Sequence, residues 1–595
     1  MRNKDRSRRA KHSWNSPFDT RVLSQAIHRV LSQWRQSPML PLTLTLSAAV
    51  LPLQASAEDI CPQIPGISGG IINLPTTLTG ANSNVRSCFI ERGIVLTNSN
   101  GATLTNTTTG DLHTTGGSLV NYGTVLNDGA LYASIKPPSF DPHPPVENRG
   151  TFVNHAGGVV KINSNATFTN IGTLNNYGAV NNLYFQSSVA LNRGILFNTS
   201  TGTVNNFGQL YNSAKTTIYN DGKLVNQSTG TLDNRGSLKT TLRLNNFGAV
   251  SNTGTIDNTA ALYNASSLNS PGNINNKANG KLINGNSGTL TNSGALTNQS
   301  GAKAYNFGTL NNSSTLINNS GASLANNGNL NNTGTFTNAG TLNTYGTSVI
   351  TNSGSLSNSG TLLNNNGGQI SNSNTFNNAG SFVTNGPVVG SGTFTQTDGT
   401  TETSGGSITQ SLISIEGGAL SGAGPLNGAV LNSGGVVEVG SSGGPATLTI
   451  QGGYTQEAGG DLRIRFNGTG PGQFSLLSVT SSIALDGALD IVTGNGFNFA
   501  ADQLFTIATF AVGGINLTGH FAKINADGHV GDGTSVDIGN NLNLTLHYNS
   551  NAGSLQLQVR SVAAPVPLPA ASLFMLSALV PLLERARARK KNSPA

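Results

Sequence analysis

From about residue 290 to 385 the chain repeats one phrase: a large apolar residue, a spacer, Asn, a spacer, Gly, a spacer. Leu324, Leu330, Phe336 and Leu342 lie six apart, as do Ile350, Leu356 and Leu362, and then Ile370, Phe376 and Phe382. Between these groups the step lengthens to eight, so that Ile350 and Ile370, or Ala304 and Leu324, are twenty apart. An apolar residue every sixth place is too sparse for a helix face, which needs returns at three and four. The spacing is even, and even spacings keep side chains on one side of a strand. Three six-residue sides plus two extra corner residues make one twenty-residue coil, and a fixed period of that length marks a solenoid.

Stacking such coils sets each Leu over the Leu of the next and builds a continuous apolar column. Each buried Leu, Ile or Phe contributes roughly 1.5–3 kcal/mol. Asn over Asn makes an amide ladder that satisfies its own donors and acceptors, which accounts for the abundance of Asn without any ligand. Gly and Asn also tolerate the left-handed backbone of sharp corners. The pattern therefore predicts an all-β chain. Its body is a right-handed parallel β-helix of about twenty residues per coil, followed by a β-rich C-terminal cap and a short C-terminal apolar helix. A left-handed helix with three six-residue sides is the alternative, and the eight-residue corner steps argue against it. At a rise of about 4.8 Å per coil, residues 95–560 would form roughly 23 coils and a rod of about 110 Å.

Two features interrupt the repeat. Aromatics recur as Asn121-Tyr122-Gly123, Asn176-Tyr177-Gly178, Asn206-Phe207-Gly208, Asn246-Phe247-Gly248 and Asn306-Phe307-Gly308, out of phase with the apolar column. They either pack at corners against a neighbouring coil or form an exposed contact stripe. The segment Lys136-Pro137-Pro138-Ser139-Phe140-Asp141-Pro142-His143-Pro144-Pro145 cannot join a ladder, because Pro lacks the donor. It must leave the stack as a loop. Loops on rigid scaffolds often carry binding residues, which makes Phe140 and His143 candidate contacts; a tolerated insertion without a partner is the plainer reading.

The chain ends set the compartment. Residues 39–53 form an apolar run too short to span a bilayer, preceded by a long basic leader and followed by Ala55-Ser56-Ala57, the small-residue pattern cut by a signal peptidase. The first 37 residues carry a net +7 and the stretch from Glu584 a net +4, so the chain's overall +7 leaves −4 for the body. A nucleic-acid partner needs a clustered basic face, and the sequence shows none. The only cysteines, Cys61 and Cys88, follow the cleavage site and read as one disulfide closing the N-terminal cap.

At the far end Val566-Pro567-Leu568-Pro569-Ala570 precedes an apolar run, Ala571 to Leu583, and a basic stretch from Arg585 to Lys591. This order resembles the PEP-CTERM sorting signal. The resemblance implies transient retention in the inner membrane by the tail, cutting by an exosortase-type processing enzyme and delivery to the outer surface of a Gram-negative bacterium. Between the repeats and the tail Asn thins out and strands lengthen, as in Asp461-Leu462-Arg463-Ile464-Arg465-Phe466. The run from Leu448 to Leu462, with Ile483 to Ile491 beyond it, resembles the C-terminal passenger segments of bacterial adhesins and autotransporter-like proteins. Residues 95–390 resemble filamentous-haemagglutinin-type repeats more broadly.

The expected organisation is thus a signal peptide with leader (1–57), an N-terminal cap (58–94), Asn/Gly-rich solenoid repeats (95–390), a C-terminal β region (391–560) and a sorting tail (561–595). Candidate chemistry is thin. Gly66-Ile67-Ser68-Gly69-Gly70 and Gly440-Ser441-Ser442-Gly443-Gly444 match a nucleophile-elbow spelling but lack its strand-turn-helix setting. Asp527, Asp532 and Asp537, with Asn525 and His529, could hold a hard cation such as Ca²⁺, yet match neither an EF-hand loop nor a Ca²⁺-binding repeat; no metal or cofactor is expected. The function expected is non-enzymatic: display of a folded spacer in adhesion or biofilm-matrix association, with a polysaccharide or cell-surface ligand of unknown identity. A carbohydrate-active β-helix enzyme is the alternative. It needs carboxylates grouped in a groove, and residues 290–385 hold at most one acidic side chain. A purely structural matrix or surface-layer component is the third class.

Overall fold

A computed structural model describes residues 58–61, 70–135, 145–163, 165–187, 190–441, 443–494, 496–513 and 515–562, together with residues 580, 581, 583–585 and 587 near the C-terminus. The chain divides into two units, Met1–Ser56 and Ala57–Ala595, and all described residues belong to the second. That unit is a parallel β-solenoid with coils of roughly twenty residues.

One coil shows how the repeat works. Lys303–Asn306, Thr309–Asn312 and Thr315–Asn318 form three successive four-residue sides. Ser323–Asn326 then pairs in parallel with the first, Asn329–Asn332 with the second and Thr335–Asn338 with the third. In each strand the second and fourth residues are buried, so the apolar residue and the Asn face inward together. Corners come in two lengths. A two-residue corner such as Ser313-Ser314 gives the step of six. A four-residue corner such as Asn319-Ser320-Gly321-Ala322 gives the step of eight, and there Gly321 adopts φ 76°. From Asn198 to Asn378 stacked Asn partners consequently lie 18, 20 or 22 residues apart according to how many long corners a coil contains. Some glycines are required by close stacking rather than by φ: a Cβ on Gly360 would lie 2.1 Å from the carbonyl oxygen of Gly340 in the coil before.

The amide ladder has a direction. Each Asn Nδ2 donates to the Oδ1 of the Asn in the following coil, as in Asn298→Asn318→Asn338→Asn358, at 2.6–2.8 Å. Its second hydrogen goes to a backbone carbonyl of the following coil, Asn338 to Thr361 at 3.0 Å. A one-way ladder must leave an orphaned acceptor wherever it starts. The Oδ1 atoms of Asn84, Asn98 and Asn182, each the first of a ladder, are buried without a hydrogen-bond partner. The same happens after a break. Thr240 and Ser270 accept from Asn220 and Asn252 but pass nothing on, and the Oδ1 atoms of Asn258 and Asn292 in the next coils are orphaned too. Thr240→Asn should therefore raise stability by about 1 kcal/mol, seen as a higher thermal midpoint; an unchanged or lower midpoint would contradict the one-way account.

The coils begin earlier than the repeat texture does. Glu58–Asp59 pairs with Ala81–Asn84, and Gly70–Ile72 with Ser87–Ile90, so the described strands before residue 94 already stack in parallel. Cys61 and Cys88 form a disulfide, and both side chains are buried. The Pro-rich segment lies outside the described residues from 136 to 144, and the stack resumes directly after it, with Val146–Asn148 paired to Ser118–Asn121. A second excursion carries no sequence signal: Tyr184–Ser187 and Ala190–Arg193 form an antiparallel hairpin outside the ladder.

Near residue 400 the texture changes for a structural reason. Ile408–Ile415 is one eight-residue strand that pairs with both Val388–Val389 and Thr393–Gln396, so two of the three sides merge across a register shift. Beyond Leu504 antiparallel pairings join the last parallel ones, which run on to Lys523–Ala526. Ser554–Ser561 lies between Leu504–Thr509 and Leu542–Asn549, antiparallel to both, in a sheet that ends the stack. Phe466, Phe474, Phe497, Phe499 and Phe505 pack ring against ring beside it. The described residues from 580 to 587 are helical, and among the described residues no helix is long and apolar enough to cross a membrane.

Candidate functional site

The repeats expose short polar side chains, so chemistry has to be sought where charge is grouped. The clearest group lies on adjacent strands of the C-terminal coils. Val436–Val439, Asp461–Phe466, Ala488–Thr493 and Lys523–Ala526 are parallel neighbours, and their register puts Glu438, Arg463, Asp490 and Asn525 in one outward column. Arg463 bridges Glu438 at 3.5 Å and Asp490 at 3.3 Å, and Arg465 pairs with the other oxygen of Glu438. Asn525 donates to Asp490 at 2.7 Å. The turn after Ala526 holds Asp527, whose carboxylate accepts from the Thr493 amide and hydroxyl. Arg463, Arg465, Asp490, Asn525 and Asp527 line a cleft of about 350 Å³ with Ile491, Val492 and Gly528. The Nε of Arg465 is buried there without a hydrogen-bond partner.

Alternating signs along the column make this a compensated network. Glu438 and Asp490 are each held by guanidinium groups. Asp461 differs. Desolvation first, and the neighbouring Asp490 second, push its carboxyl above the usual carboxylate range, against the pull of Lys523 and Arg463. A raised carboxylate pKa means that the folded state binds the proton more tightly than the unfolded chain. Ionisation then costs stability at neutral pH, and the cost disappears as pH falls through the raised range. Asp461→Asn should accordingly raise the thermal midpoint at pH 7, with the difference from the unsubstituted chain shrinking on acidification. A difference that grows toward low pH would contradict this.

The other candidates separate. Asp532 accepts from Thr534 and Ser535 within its own turn, and Asp537 accepts from the Gly539 amide. Asp532 and Asp537 thus cap two different turns while Asp527 is tied to Thr493, and among the described residues no three His, Cys, Asp or Glu side chains group to hold a metal. Phe140, His143, Ser68, Ser442 and the motif Val566, Pro567, Leu568, Pro569 and Ala570 lie outside the described residues.

The corner aromatics do both things that their phase allowed. Tyr177 stacks on Phe207 of the next coil at 4.7 Å, and Arg149 lies over Tyr122 at 5.6 Å. Tyr122 and Tyr177 nevertheless stay 45% and 46% exposed. Nearer the N-terminus, the register of outward side chains makes a second column that spacing alone did not reveal: Phe89, His113 and Tyr132 stack at 4.6 and 4.3 Å, with Lys161 over the last ring. Burial in this stack pulls the His113 imidazole below its ordinary pKa, opposed by Asp111.

No protein-family model matches the chain, and no curated protein matches it. Among solved structures it is similar to the Haemophilus influenzae Hap adhesin, with 10% identity over 80% of this chain and a TM-score of 0.31. The match spans 64% of the Hap chain, less than two thirds of its length. It is also similar to a TibC-catalysed hyper-glycosylated fragment of TibA, with 15% identity, a TM-score of 0.16, and coverage of 64% of this chain and 96% of that one. With TM-scores this low the solenoid assignment stands on its own strand pairing.

Proposed function

We propose that the chain is exported and displayed at the outer surface of a Gram-negative bacterium, where the solenoid acts as a folded spacer in adhesion or biofilm-matrix association. The tail, in this reading, is a PEP-CTERM-like signal cut by an exosortase-type enzyme. The observation that carries the proposal is the buried Cys61–Cys88 disulfide at the first coils of a ladder that continues beyond residue 500. Disulfides form and persist outside the reducing cytosol, and a stack that satisfies its own hydrogen bonds suits exposure to proteases and solvent.

The test is an intact-mass and C-terminal peptide analysis of the protein recovered from the native cell surface and medium. The expected result is a chain found outside and lacking everything beyond the Val566–Ala570 motif. A chain still ending at Ala595 in the inner membrane would sink the sorting reading. A second reading, a carbohydrate-active enzyme, draws on the cleft at Arg463 and Asp490 with the raised carboxyl of Asp461 beside it. Release of products from matrix polysaccharide, abolished by Asp461→Asn, would favour it over display.

A further inference from the structure

Coiling brings together cations that the sequence keeps far apart. On one side of the solenoid, Lys223–Asn226, Arg243–Asn246, Ala261–Asn264, Lys281–Asn284 and Lys303–Asn306 are successive parallel neighbours. Their first residues point outward in one row: Lys223, Arg243, Ala261, Lys281 and Lys303. Their third residues form the row beside it: Val225, Asn245, Tyr263, Ile283 and Tyr305. Lys223, Lys281 and Lys303 are exposed, and none of the three forms an ion pair among the described residues. Phe247 and Phe307 flank the rows at the following corners, within 6.0 Å of Tyr263 and 6.4 Å of Tyr305, ring centre to ring centre.

Acidic residues are missing from these two rows over a long distance. On this side neither outward row carries an acidic residue from Ala81 up to Glu402, which sits opposite Val383. The sequence itself holds no Asp or Glu between Asp257 and Asp398. Asp257 is engaged by Lys277 on a neighbouring side, and Asp221, at the corner leading into Lys223, accepts from Thr241.

We infer that this face binds a linear polyuronate, an acidic polysaccharide lying along the solenoid axis. Rows advance by about 4.8 Å per coil, close to the length of one extended pyranose unit, so successive sugar carboxylates meet Lys281 and Lys303 in register. The apolar faces of the sugar rings lie on Tyr263 and Tyr305, since aromatic side chains combine a flat apolar surface with a polar rim. A single row of cations on a flat face fits one narrow polyanion better than a duplex, and the negative body disfavours general attraction to nucleic acid. The inference rests on the display reading, because such a polymer is met outside the cell.

The experiment uses the full chain with polygalacturonate as the probe, neutral dextran as the uncharged control and poly(dT) as the competing class of polyanion. Polygalacturonate should be retained, dextran should not, and retention should weaken with salt. The double variant Lys281→Glu with Lys303→Glu should lose about tenfold or more in apparent affinity, with an unchanged circular dichroism spectrum. Should that variant misfold, lysine labelling of the unsubstituted chain decides the matter: polygalacturonate should protect Lys281 and Lys303. Absent retention, absent protection, equal binding by a folded double variant, or tighter binding of poly(dT) would each overturn the proposal. A chain that fails these tests yet is found outside the cell leaves display standing; one that binds the polymer but stays in the inner membrane overturns display alone.

Discussion

Asn338→Leu is expected to destabilise the solenoid by about 2–4 kcal/mol, although it places a larger apolar side chain in a buried position. Asn338 is fully buried in the middle of a ladder. It accepts from Asn318 at 2.7 Å and donates to Asn358 at 2.6 Å and to the Thr361 carbonyl at 3.0 Å. Leucine would leave a donor on Asn318 and an acceptor on Asn358 buried without those partners, and each such group costs about 1–3 kcal/mol. The hydrophobic gain of a buried Leu does not cover two of them, and the branched side chain also needs room that a stack of planar amides does not leave. Long coil arrays need not unfold in one step. The readout is therefore hydrogen exchange of the amides in the coils on either side of residue 338, beside the thermal midpoint. Unchanged protection there would mean that the ladder contributes little, and that the apolar columns alone hold the coils in register.

How much of this was readable in the sequence depends on where each feature lies along the chain. The apolar column and the Asn ladder were legible because their members repeat at intervals that one coil fixes, as Leu330, Ile350 and Ile370 do. The direction of the ladder was not, since it depends on which amide donates, and Thr240 and Ser270 look like harmless substitutions until Asn258 and Asn292 are seen orphaned above them. The cleft and the basic face were hidden for one common reason. Glu438 meets Arg463 and Asp490, and Lys281 meets Lys303, only through register across coils, so no window of linear sequence contains either group. The carboxylates of Asp527, Asp532 and Asp537, close in sequence, are engaged separately: Asp527 by Thr493, the other two by the turns they cap.

Removing the disulfide, by Cys61→Ala with Cys88→Ala, is expected to loosen the first coil without unravelling the rest. The bridge closes a separation of 27 residues, worth about 3 kcal/mol in the chain-entropy model. Little else fixes its N-terminal strand. Glu58–Asp59 pairs through only two residues, helped by an Arg86–Asp59 ion pair at 2.7 Å and the Ile60 amide on the Ser83 carbonyl. A partly exposed ion pair of this kind adds at most about 1 kcal/mol. Fraying should stop near Asn84, where the ladder starts and where complete four-residue pairing with Thr103–Asn106 begins. Opening the first coil also lets water reach the orphaned Oδ1 of Asn84, which offsets part of the loss and keeps the damage local. The measurement is limited proteolysis with hydrogen exchange. New cleavage and lost protection should be confined to residues before about 90, while the amides beyond Leu104 keep theirs. Loss of protection spreading past Leu104 would show that the stack is held from its N-terminal end rather than coil by coil. No change at all would show that the pairing of Glu58–Asp59 is self-sufficient.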